Sequence, residues 1–89
     1  MFRRSVPDEY ALVFRFDHPR RRSVHMCFVP FAIDVLWLDR ETVTRVSRLR
    51  PWIGFDRGRG DTIVELPAGG ADGIDVGDEV RLDSDQVRR

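Results

Sequence analysis

The sequence has no lysine, no asparagine, one cysteine and no net charge, since 15 arginines balance 15 acidic side chains. The exclusive use of arginine reads as codon bias rather than as selected chemistry. Cys27 alone permits no internal disulfide and says little about compartment. No apolar run reaches the roughly 18–20 residues that a membrane-spanning helix needs. Residues 1–5 carry paired arginines with no apolar segment behind them, unlike a secretory leader. The expectation is a cytoplasmic protein. Charge balance weighs against a general nucleic-acid binder, which is usually clearly basic, while leaving room for a local patch.

What is present is a modest core's worth of apolar sequence in 89 residues, enough for one domain over 1–89. Residues 1–9 read as a polar leading loop and 83–89 as a frayed tail. The most apolar stretch is 23–38 (SVHMCFVPFAIDVLWL), rich in strand-favouring Val, Ile, Phe and Trp and interrupted by Pro30. It predicts a central β-hairpin. With a three-residue loop Phe28 faces Asp34 and His25 lies opposite Trp37; a loop of two or four residues would put His25 on the face of Asp34. Upstream, 10–16 (YALVFRF) predicts a strand with Tyr10, Leu12, Phe14 and Phe16 on one face, closed by Asp17-His18-Pro19 and followed by a charged turn at 20–22.

Downstream, 39–41 is a polar turn into a strand at 42–49, where Val46 falls out of step with Val43 and permits a bulge or a kink. Residues 54–60 (GFDRGRG) read as a loop and 61–66 as a strand. Residues 67–77 read as a connection with at most one helical turn around 68–72, and 78–82 as the last strand. The fold class is therefore mainly β: a small, barrel-like or strongly curved antiparallel sheet of about six short strands, with at most short helical turns.

Five segments carry a resemblance in order and spacing: 11–16 (ALVFRF), 23–26 (SVHM) with 31–38 (FAIDVLWL), 49–52 (LRPW), 64–69 (VELPAG) and 77–80 (GDEV). Together they are similar to the uncharacterised prokaryotic family known as domain of unknown function 192, most closely its archaeal branch. The resemblance implies a small, mostly β domain with short helical pieces, and no reaction. Members of that family usually carry an upstream strand and helix ending in Gly-Leu-Met, and Met1-Phe2-Arg3 falls where that Met would stand. The expectation is a fragment or a late start. A missing strand would leave an open sheet edge, either covered by another chain, as in a homodimer, or poorly ordered.

Few residues are placed for chemistry. Asp34 stands between Ile33 and Val35, where a charge is costly unless paired. It reads either as a base or ligand contact, or as a carboxylate that accepts backbone N–H groups or an arginine and fixes a turn, and the second reading is preferred. His25 reads as a satisfied core or exposed-tip histidine before an acid–base group. His25 and Cys27, even joined by Asp17 or His18, make a poor zinc site. No metal or cofactor is expected, and Cys27 reads as a small buried hydrophobe.

Arg20, Arg21 and Arg22, with Arg3, Arg4, Arg57 and Arg59, could form a basic rim for phosphate, an acidic peptide or nucleic acid, although interleaved aspartates favour solvated turns. Residues 54–60 lack the ending of a phosphate-binding P-loop. Glu65 is expected to hydrogen-bond the connection that follows it, and Gly69 and Gly77 to supply positive φ. Trp52 either caps the core or, if exposed, marks a binding surface.

Three functions compete. The first is a binding module for a small molecule or protein, using His25, Asp34, Trp52, Glu65, Arg20, Arg22 and Arg57. The second is a small enzyme built on Asp34, His25 and Glu65, which requires their convergence in a pocket. The third is weak nucleic-acid or phosphate binding, which requires aromatic rings beside arginines on a solvent-facing sheet. Phe14, Phe16, Phe28 and Trp37 lie in apolar runs that point to the core, so the first reading is preferred.

Overall fold

The computed structural model describes residues 3–6, 11–82 and 87–88. Seven strands form one sheet: β1 (Arg3–Val6), β2 (Leu12–His25), β3 (Ile33–Asp39), β4 (Thr42–Leu49), β5 (Phe55–Pro67), β6 (Glu79–Leu82) and β7 (Val87–Arg88). Their spatial order is β1-β6-β4-β3-β5-β2-β7. The inner pairings are antiparallel, while β1 joins β6 and β7 joins β2 in parallel. Among the described residues there is no helix, and none long and apolar enough to cross a membrane. The fold is mainly β.

Strand β3 is central because both of its faces are covered. Val35, Leu36, Trp37 and Leu38 are fully buried, which explains an unbroken apolar run in place of alternation. Period-two geometry sends Ile33, Val35 and Trp37 to one core with Val24, Met26, Leu49 and Ile63, against which Phe14, Phe16 and Val29 pack. It sends Leu36 and Leu38 to a second core with Ala11, Val13, Val43, Val64, Leu66, Ala71, Ile74 and Val80.

The predicted central hairpin does not form. Strands β2 and β3 do not pair; β5 lies between them and takes both as antiparallel neighbours. His25 is opposite Phe55 rather than Trp37, and Trp37 is opposite Ile63 and Arg45. The reason is partner competition: a 13-residue β5 satisfies the edges of both apolar runs, which a hairpin around Pro30 would leave open on their outer sides. The hairpin that does form is β3–β4, closed by Arg40 and Glu41 at φ 51° and 70°, the positive pair that a two-residue turn requires.

Further expectations are corrected. Asp17-His18-Pro19 does not end the first strand: β2 continues to His25 through a register shift between Arg15 and Arg20. Residues 55–60 are strand rather than loop. Strands β1 and β7 stand within the expected leading loop and tail. Leu12 is half exposed while Val13 is buried, so the apolar face of β2 is divided between the two cores. Cys27 and Phe28 lie in an exposed turn and not in the core. Tyr10, residues 7–9 and residues 83–86 fall outside the described residues. The slip at Val46 does mark a bulge: the register steps from Trp37↔Arg45 to Leu38↔Val43, leaving Thr44 unmatched.

Residues 20–25 and 55–60 extend β2 and β5 as a two-stranded arm that curls over the face bearing Trp37. The Trp37 indole N–H donates to the Arg22 carbonyl at 2.9 Å, although β5 separates those strands in the sheet. From β4, the Thr44 hydroxyl reaches the Arg59 carbonyl, Arg45 Nε donates to Asp56 at 2.7 Å, and Ser47 donates to the same carboxylate. The arm can approach this closely because Gly58 and Gly60 have no side chains: a Cβ on Gly58 would stand 2.5 Å from Trp37 Cγ, and one on Gly60 2.2 Å from the Leu38 carbonyl oxygen. The result is a half-barrel.

Candidate functional site

Asp34, buried with 3% exposure, is fully engaged. Its carboxylate accepts hydrogen bonds from Arg48 Nε at 2.8 Å, Arg48 Nη2 at 3.3 Å, and the backbone N–H groups of Gly69 at 2.9 Å and Ala71 at 3.1 Å. Burial alone would raise its pKa. The bonds from Arg48, Ala71 and Gly69 outweigh that and hold the carboxyl below the usual carboxylate range. Asp34 thus ties the 68–73 turn to β3, the role expected of Glu65. Gly69 and Gly77 take φ values of 97° and 95° in that connection.

Glu65 faces the other way. It shares the Ile63 side of β5, is paired in register with Leu12 and Val35, and has no hydrogen-bond or ion-pair partner among the described residues. Partial burial pushes its pKa up, with no compensating contact. It lines a cavity of about 590 Å³ together with Leu12, His25, Met26, Phe31 and Ile33. An adjoining hollow of about 240 Å³ is lined by Phe14, Ser23 and Val24, and again by His25 and Glu65. The curl of the arm makes this space, because it carries His25 at the far end of β2 back toward Leu12 at the near end. Two polar side chains in an otherwise apolar wall match the usual make-up of a small-molecule site.

The structure therefore brings His25 and Glu65 to one cavity and leaves Asp34 outside it. Arg22 lies over the Phe16 ring at 3.6 Å and donates to the carbonyls of His18 and Gly60, which fixes it to the arm. Arg20 and Arg57 are exposed on the arm, away from the cavity lining. Trp52 is 56% exposed. Among the described residues no three His, Cys, Asp or Glu side chains converge as metal ligands.

Sequence reasoning missed Leu12, Met26 and Phe31 as wall residues, because the arm's bend is a tertiary event. It also missed Phe55, which shares a solvent-facing side with Arg57 and Arg59. The alternation of Phe55, Arg57 and Arg59 across Gly58 was the available signal, hidden by reading the glycines as loop.

Comparison with known proteins points to one family. The family model for domain of unknown function 192 (DUF192), described as Uncharacterized ACR, matches residues 1–82. A protein titled UPF0127 protein, from Thermococcus sibiricus (strain DSM 12597 / MM 739), is 37% identical over 86 residues, covering 89% of this chain and 55% of that relative. The chain thus spans little more than half the length of that curated relative. No solved structure matches.

Proposed function

The chain belongs to the DUF192 family, and we propose that it is a binding module whose ligand is a small, largely apolar molecule with one hydrogen-bond-donating head group. The observation that carries this reading is Glu65, a partly buried carboxyl without a hydrogen-bond or ion-pair partner among the described residues, in the wall of a 590 Å³ apolar cavity. A buried acceptor left unsatisfied costs free energy, and a ligand amine or hydroxyl would remove that cost. His25 at the same wall supplies a second polar contact. An enzyme that uses Asp34 with His25 and Glu65 is disfavoured, because Asp34 is consumed by Arg48 and two backbone amides and lines neither hollow.

The test is a titration of the protein with hexylamine, hexanol and hexanoate, followed by amide chemical shifts. Hexylamine and hexanol are expected to shift residues 12, 25, 26, 33, 65 and 66, and hexanoate to bind least. Glu65→Gln should remove the preference for the amine. Shifts that fall elsewhere, or a preference for hexanoate, would refute the assignment.

A further inference from the structure

Beside the cavity, whose lining Ser23 and His25 also join, the arm has an exposed face. Strand alternation places Arg21, Ser23 and His25 on it from β2, and Phe55, Arg57 and Arg59 from β5, all of them exposed. Arg21 and Arg59 are direct cross-strand neighbours, and Arg57 stands opposite Ser23 on the same face. Like charges directly opposite each other destabilise an antiparallel pair. None of these three arginines has an ion-pair partner among the described residues. The neighbouring carboxylate of Asp56 is already engaged by Arg45 and Ser47.

This cationic face runs into an apolar tip. Loops 26–32 and 50–54 are tied together where Met26 N–H donates to the Gly54 carbonyl and Trp52 N–H to the Val29 carbonyl, both at 2.9 Å. They present Phe28 at 85% and Ile53 at 70% exposure, with Phe31 and Trp52 beside them and Phe55 at their junction with the arm. Phe28 and Trp52 stand at φ 67° and 66°, a region that bulky side chains rarely adopt. Exposed apolar clusters of this kind mark interaction surfaces.

A single-stranded nucleic acid would use Phe55 and the arginines but would leave Ile53 without a role. A headgroup layer accommodates both halves: apolar tips enter the acyl boundary while guanidinium groups remain among phosphates. We propose that this end of the protein docks peripherally on an anionic lipid surface, with Phe28, Trp52 and Ile53 entering the interface and Arg21, Arg57 and Arg59 pairing with lipid phosphates.

Vesicles of phosphatidylcholine, with and without phosphatidylglycerol, provide the test. Trp37 is buried, so a blue shift in tryptophan emission reports on Trp52. The protein is expected to co-sediment with the anionic vesicles alone and to show that shift. Arg57→Gln and Arg59→Gln should each weaken partitioning about fivefold. Phe28→Gly suits the positive φ, so it should weaken partitioning while the unfolding midpoint holds or rises. Absence of binding, equal binding to both vesicle types, or indifference to all three variants would overturn the proposal. So would self-association that Phe28→Gly abolishes without any vesicle binding, which would assign the tip to a second copy, or binding to a single-stranded oligonucleotide in its place.

Discussion

Replacing Asp34 with alanine removes the acceptor of four hydrogen bonds at once, two from Arg48 and one each from the amides of Gly69 and Ala71. The Arg48 side chain is 55% exposed and regains water, so its loss adds little. The backbone amides decide the outcome. The Ala71 bond is buried, and bonds to a charged acceptor contribute about 1.5–3 kcal/mol each. With Gly69 partly rehydrated, the expected destabilisation is about 2–4 kcal/mol. Ala71 and Ile74 belong to the core, so a released turn also loosens packing there. Asp34→Asn keeps one acceptor oxygen and should fall between wild type and alanine.

Urea unfolding gives the free energies, and hydrogen exchange at the Ala71 amide localises the effect. The pH dependence provides an internal check. Because the folded pKa of Asp34 is depressed, its contribution is fully present above the unfolded value of about 4 and is lost as pH falls through the folded pKa. In Asp34→Ala that part of the acid loss should disappear. An alanine variant within about 0.5 kcal/mol of wild type, or unchanged exchange at Ala71, would refute the reasoning.

Three further outcomes follow from the geometry. Gly58→Ala forces a methyl into the Trp37 ring and should destabilise by about 1–3 kcal/mol, checked by thermal unfolding. Trp37→Phe removes the donor to the Arg22 carbonyl and part of the core volume, so a loss of about 1–3 kcal/mol with freer exchange in 20–25 is expected. Glu65 has a raised folded pKa, so its protonated form favours folding and that advantage is lost as pH rises from the unfolded value through the folded one. Glu65→Gln should therefore gain stability relative to wild type at pH 7 more than at pH 4, read from paired urea curves; equal differences at both pH values would contradict it.

The candidate site was only partly legible. Glu65 and His25 could be picked out as polar residues in apolar surroundings, but nothing local indicated that they meet, since Glu65 is opposite Leu12 and His25 opposite Phe55 at the two ends of a long strand pair. Asp34 could be read as a carboxylate needing partners. That those partners would include the amides of Gly69 and Ala71, 35 and 37 residues away, could not.

Local composition alone determined that this chain would be β-rich, that 33–38 would be buried, that 39–41 would turn, and that the strand after it would slip near Val46. These are properties of side-chain size, branching and period, which each segment carries by itself. Tertiary structure decided which strands became neighbours. Backbone donors and acceptors are alike in every strand, so β5 could insert between β2 and β3 wherever its length and glycines allowed the closest packing. That choice bent the arm over Trp37, and the bend made the cavity.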